Sequence, residues 1–324
     1  MERRNFIRTM IGGTGLLVLP LNLKAFGSQV NHNIKFGACA DVHQDVMHDE
    51  VQRMETFVAA AQKQKLDFII QIGDFCRHYE YNQVFMDAWN SYPGDKYHVI
   101  GNHDMDGDFS REDVLKYWDI SHKYYSFDQG GFHIIVLDGN DKNPFPNKAS
   151  GYARFIGNKQ LKWLEKDLKS TNLPCLIFSH QTLDNNKDGI ENRDDIRQLF
   201  KKENEKSGFK KVVACFSGHH HTDYATSIND IYYIQINSMS YEWLGGDYKK
   251  VRYSQAIDES HEWIKYTVPY KEPLFAFIEI DNESIRIKGV KSSFVGPSPK
   301  DLGYPERPTN NLISPSIADK ILKL

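Results

Sequence analysis

Seven side chains able to bind a metal ion stand in five short blocks. They are Asp41 and His43 in Ala-Asp-Val-His, Asp74 in Gly-Asp-Phe, Asn102 in Gly-Asn-His-Asp, His180 in Phe-Ser-His, and His219 and His221 in Gly-His-His-His. Mixed oxygen and imidazole donors suit Mn, Fe or Zn better than Ca or a thiolate-bound metal. Asp41 and His43 are separated by one residue, so in extended backbone both face one side and can grip one ion. Asp74 follows a glycine that permits a tight turn, and its two oxygens can bridge cations about 3.5–4 Å apart. Asn102, His180 and His219 add donors, and His221 can return to the first ion. Such a set points to a metallohydrolase, in which two cations ionise water and polarise the group it attacks.

The elements that must position these blocks are legible as apolar runs. Residues 34–40, 68–72, 97–100, 133–137, 175–178 and 212–216 read as buried strands, and nearly every block follows one of them. Residues 49–63 place Val51, Met54, Val58 and Ala61 on one helical stripe, and residues 157–170 do the same with Leu161, Leu164 and Leu168. Residues 110–118 and 194–207 also read as helical. Alternating strands and helices predict a parallel sheet with a crevice at its carboxyl edge. Residues 231–236 continue the sheet, whereas 266–269, 274–280 and 284–290 read as consecutive strands of an antiparallel edge. Residues 296–324 hold five of the twelve prolines and read as an extended strap or mobile end outside the sheet.

In order, the five blocks resemble those of the calcineurin-like metallophosphoesterase superfamily: Asp-x-His, Gly-Asp, Gly-Asn-His-(Asp/Glu), His and Gly-His-x-His. The match covers residues 34 to about 240, and Gln160-Leu161-x-Trp163-Leu164 resembles a helix common in that family. The resemblance implies an α/β fold, a four-layer αββα sandwich of two mixed β-sheets flanked by helices, over residues 31–295. It also implies that Asp41, His43 and His221 hold one metal, that Asn102, His180 and His219 hold a second, and that Asp74 bridges them. The implied cofactors are two divalent or trivalent ions, and the implied activity is hydrolysis of small phosphomonoesters or phosphodiesters by a metal-bridging hydroxide attacking in line. His103, beside Asn102, is the expected general acid, with Asp104 orienting its imidazole. The alternatives are a pyrophosphatase acting on nucleotides or nucleotide-sugars, and a non-catalytic, metal-dependent binder of a phosphorylated ligand.

Substrate contacts are read from loops on the same rim. Asn140, in Asp138-Gly139-Asn140, either meets a phosphoryl oxygen or leaving group or belongs to a plain turn. Tyr241, Trp243 and Tyr248 surround Gly245-Gly246 and read either as a movable aromatic lip, fit to stack a nucleobase or sugar, or as rings packed under a loop. Alternation turns His220 away from the ions, with a contact to substrate phosphate as the other reading. His32, His48, His78, His98, His122, His133 and His261 lack partners at ligand spacing and read as surface or core residues. Asp45 and Asp49 read as solvated or capping.

Residues 1–28 form a different kind of segment. Arg3-Arg4-Asn5-Phe6-Ile7-Arg8 precedes an apolar stretch over residues 10–23, which resembles a twin-arginine export signal. The partner this implies is the twin-arginine translocation machinery, and the location is the periplasm or another exported compartment; the other reading is a basic helix that stays on the protein. Cys39, Cys76, Cys175 and Cys215 are expected as buried free thiols, with a Cys39–Cys76 disulfide as the exception. A formal net charge of −3 provides no broad basic track, so long nucleic acid is not expected as a partner. No apolar run of transmembrane length follows the N-terminal segment, so no membrane span is expected in the mature protein.

Overall fold

The protein is described by a computed structural model covering residues 32–324 apart from 147, 186 and 308–311. The export-signal segment, residues 1–28, lies outside the described residues. The first part supplies β1 (Asn33–Cys39), α1 (Glu50–Gln62), β2 (Phe68–Ile72), α2 (Gln83–Asn90), β3 (Asp95–Val99) and α3 (Arg111–Tyr117). The middle supplies β4 (Tyr125–Gln129), β5 (Phe132–Val136), α4 (Asn158–Ser170), β6 (Cys175–Phe178), α5 (Arg193–Ser207), β7 (Val212–Ser217), β8 (Tyr224–Ile228) and β9 (Ile231–Gln235). Beyond them come β10 (Tyr241–Trp243), α6 (Gln255–Ser260), β11 (Thr267–Pro269), β12 (Ala276–Asp281), β13 (Ser284–Gly289) and β14 (Lys320–Lys323).

Two six-stranded mixed sheets result, ordered β14-β13-β12-β1-β2-β3 and β4-β5-β6-β7-β9-β8. Within them β1, β2 and β3 run parallel, as do β5, β6, β7 and β9. Period-two alternation packs them face to face. Phe36, Ala38, Phe68 and Ile70 of the first sheet meet Ile134, Val136, Phe178 and Phe216 of the second in one buried core. Phe36 stacks on Phe68 (centroids 5.0 Å, 4°) and meets Phe178 and Phe216 edge-on at 5.6 and 5.5 Å. The opposite faces carry helices: Met54, Phe57, Phe85 and Trp89 of α1 and α2 pack with Ile69, and Leu164, Leu168, Ile196 and Phe200 of α4 and α5 pack with Ile135 and Ile177. The four-layer αββα architecture is therefore present.

Two features differ from the sequence reading, and the cysteines follow it. The chain end is part of a sheet: β14 pairs antiparallel with β13, because Ile285 and Ile287 present an edge that Leu322 and Lys320 complete. Residues 266–269 contribute β11, which pairs with β10 in a separate two-stranded ribbon rather than at the edge of the main sheet. All four cysteines are buried free thiols, so no Cys39–Cys76 disulfide forms; Cys76 Sγ lies 3.6 Å from Met86 Sδ instead. No helix among the described residues is long and apolar enough to cross a membrane.

Candidate metal centre

Each donor block begins just past the carboxyl end of a parallel strand. Asp41 lies two residues beyond β1, Asp74 two beyond β2, Asn102 three beyond β3, His180 two beyond β6 and His219 two beyond β7. The chain bends sharply at these points. Asp41 (φ 49°), His43 (54°), Asp74 (51°), His219 (75°) and His221 (53°) all occupy the left-handed region, which Asp and His tolerate better than most side chains. The extended backbone expected for Asp41 and His43 is thus replaced by two left-handed residues, held by Asp41 N–H on Gly73 O (3.0 Å) and His43 N–H on Asp74 O (2.9 Å). Close approach needs glycine. At Gly73 (φ 87°) a Cβ would lie 2.4 Å from the His180 ring, and at Gly101 it would lie 2.2 Å from Asp74 Oδ1.

Two groups of donors follow, side by side. Asp41, His43 and His221 present donor atoms within 4.8 Å of one another, and Asp74, His180 and His219 do the same. Asp74 Oδ2 lies 3.0 Å from His180 Nε2 and 3.8 Å from His43 Nε2, so this carboxylate faces both groups. His43 Nε2 and His221 Nε2 are 3.1 Å apart, a spacing at which imidazole lone pairs repel unless a proton or cation stands between them. His180 Nδ1–H donates to Ile72 O and His221 Nδ1–H to Tyr241 O, each at 2.8 Å, which turns both Nε2 atoms toward the donor groups. Asn102 is buried, and its Oδ1 has no hydrogen-bond partner. Such an oxygen suits a cation.

Charge balance points the same way. Burial lowers the His43 and His219 pKa values well below the ordinary range, so both imidazoles are neutral and offer lone pairs. Burial also disfavours a charged His180, yet the Asp74 carboxylate outweighs it and raises that histidine to about 10. Asp104, buried and beside Asp74, is pushed up to about 8. Two neutral imidazoles beside the Asp41 and Asp74 carboxylates make a mixed donor set that fits a cation.

The sequence model of the calcineurin-like phosphoesterase family matches residues 34–223. The chain belongs to that family. A dimetal phosphatase of Danio rerio has the same fold at 16% identity and a TM-score of 0.58, the match covering 81% of this chain and 98% of that one. GAP50 of Plasmodium, described as the anchor in the inner membrane complex, matches at 15% identity and a TM-score of 0.51, over 80% of this chain and 84% of that one. No curated protein sequence matches the chain.

In this family member the partner of His103 is not the one expected. Asp104 accepts the backbone N–H groups of Asp74 (3.1 Å), Phe75 (2.6 Å) and Gly101 (2.7 Å), so it pins two donor loops together and does not orient the imidazole. Asp106 does: it accepts from His103 Nδ1 at 2.7 Å, and the Tyr152 hydroxyl donates to the same carboxylate at 3.0 and 3.1 Å. Burial opposes a charged His103, but Asp74 and Asp106 together hold its pKa above the ordinary value. Asp106 had a signal in the sequence, three residues after His103 in the same turn. Tyr152, forty-nine residues away, had none.

A cavity of about 540 Å³ opens over both donor groups, and His103, Arg77, Tyr241, Trp243 and Trp263 are among the residues lining it. Asn140 is not among them: its amide donates to Ile100 O and Asp138 Oδ1 and accepts from Gln181, so it fastens strand ends instead of meeting substrate. His220 lies on the cavity wall but directs Nε2 to Lys187 O at 2.8 Å. Tyr241 is buried, with its ring 5.1 Å from His43. Tyr248 packs against Tyr304 of the strap. Asp45, expected to be solvated or capping, is enclosed by Arg77, Asn82 and Tyr81. Asp49 pairs with Arg53 at 2.9 Å, and His98 is a core histidine whose pKa burial and Lys96 lower to about 3.

Proposed function

We propose that this protein is an exported, metal-dependent hydrolase of small phosphomonoesters or phosphodiesters, working with two metal ions, Mn, Fe or Zn. The observation that carries the reading is Asp74 Oδ2 facing both donor groups on the floor of one open cavity. Asp41, His43 and His221 would hold one ion, Asn102, His180 and His219 the other, and Asp74 both. The ions would supply an ionised water near neutral pH and Lewis acidity at the phosphoryl oxygens.

The remaining work falls to the chain. His180 and His221 would present Nε2 to the ions, because Ile72 O and Tyr241 O fix their Nδ1–H. His103, with Nδ1 engaged by Asp106, has Nε2 left to give a proton to the leaving alcohol oxygen. The aromatic wall and the small size of the cavity favour a soluble substrate over a polymer. Export by the twin-arginine machinery to the periplasm is supported by the Arg3-Arg4 segment and suits a protein that takes up its ions while folding.

The test is a panel of phosphomonoesters and diesters on metal-reconstituted protein with Asp74→Asn beside it. Turnover that depends on added metal and is lost in the variant supports the reading. A full rate in Asp74→Asn would show that the bridging assignment is wrong.

A further inference from the structure

The cavity volume of about 540 Å³ lies within the range of small-molecule sites and far exceeds what a phosphoryl group fills. The leaving group accounts for the rest. Tyr152, Trp243 and Trp263 line this cavity and are 43, 42 and 47% exposed, which makes three of the ten large hydrophobic side chains that are exposed among the described residues. Tyr152 is engaged by Asp106. The two indoles have ring neighbours: Trp243 and Trp263 are 6.4 Å apart, and Trp243 lies nearly parallel to Tyr266 (5.8 Å, 16°). A further flat ring is the shape that extends such a stack.

Position and charge narrow the choice. Trp243 is in the strand whose Tyr241 O fixes His221, and Thr267 of the paired strand follows the turn that carries Trp263, so the indoles stand beside the first donor group. Among the described residues Arg77 is the one Arg or Lys lining the cavity, and Asp45 already holds its Nε at 3.1 Å; on the same wall Asp106 is engaged by His103 and Glu242 by Arg307. A leaving group with further phosphates would find no unengaged Arg or Lys on that wall among the described residues.

We propose that Trp243 and Trp263 select the leaving group, and that the substrates are phosphoesters of an uncharged, nucleoside-sized alcohol bearing a flat heteroaromatic ring. The ring stacks on the indoles while the phosphoryl group lies over the two donor groups. This deepens the hydrolase reading and rests on it.

Adenosine 5′-monophosphate and ribose 5-phosphate share the same reacting ester and differ in the ring, so their kcat/KM ratio on the metal-loaded protein isolates its contribution. The expected ratio favours the nucleotide by about tenfold or more, mostly in KM, and falls by about tenfold in Trp263→Ala and in Trp243→Ala, with Trp263→Phe keeping most of it. Equal kcat/KM for the two esters on the wild type, or a ratio that neither alanine variant changes, overturns the proposal. Adenosine alone should quench tryptophan fluorescence, and the quench should vanish in the Trp243→Phe/Trp263→Phe double variant; its persistence there also overturns the proposal. Adenosine quenching without turnover of any ester would sink the hydrolase reading and leave the stacking wall standing. Turnover of both esters without preference would do the reverse.

Discussion

Asp106 and Asp104 are two residues apart yet act on different things, and substitution should separate them. Asp106→Ala is expected to slow hydrolysis of alkyl phosphoesters by about 10- to 100-fold, because the leaving alkoxide needs a proton from a well-aimed His103. A nitrophenyl ester, whose leaving group needs none, should lose much less; equal losses on both would remove His103 from the acid role. Asp104→Ala should appear first in stability, since three backbone N–H groups lose their acceptor, at a cost of about 1–3 kcal/mol or more in urea unfolding. Glu50 gives a pH signature. Burial, against the pull of Arg53, raises its pKa to about 8 from 4.5. Between these values the folded protein keeps a proton that the unfolded chain releases, so its contribution to stability falls as pH rises through the window and is fully lost above it. Glu50→Gln should therefore show a shallower decline in urea midpoint from pH 5 to pH 8.5 than the wild type. Parallel curves would contradict the buried-acid assignment.

At the scale of elements, the strap-and-strand end of the chain makes a direct prediction. β14 caps the β13 edge, so deleting residues 319–324 leaves a row of unpaired backbone groups beside Ile285 and Ile287. The truncated protein should melt at lower temperature and enter higher-order species in size-exclusion chromatography; an unchanged elution profile and melting temperature would show that the edge needs no cover. This pairing was hidden in the sequence, because Lys-Ile-Leu-Lys is too short and its prolines too near for a pattern to stand out, and its partner lies some thirty-five residues away. The β10–β11 ribbon was hidden for the same reason. What was legible is what local pattern dictates: apolar runs at β1, β2, β6 and β7 ending in donors, and helices with a stripe such as Leu161-Leu164-Leu168. The donor groups were legible in residue type and order. Their left-handed backbone was not, since φ is imposed by the contacts between Gly73, Asp74 and the segment around Asp41.

For the whole molecule, ion binding and stability should be one measurement. A ligand that binds only the folded state stabilises it by about 2.7 kcal/mol at a hundredfold excess over its Kd. Removing divalent ions with a chelator should lower the melting temperature by several degrees, and Mn should restore it in the wild type but far less in Asp74→Ala. An identical melting temperature with and without chelator would argue that the donor groups bind nothing tightly. Both groups draw on both sheets: Asp41, His43 and Asp74 follow strands of the first, and His180, His219 and His221 follow strands of the second. A nascent chain with one sheet formed offers neither triad whole, so capture of ions waits until the halves have closed on each other. Ions retained without exchange after that closure would then reflect the compartment in which it took place.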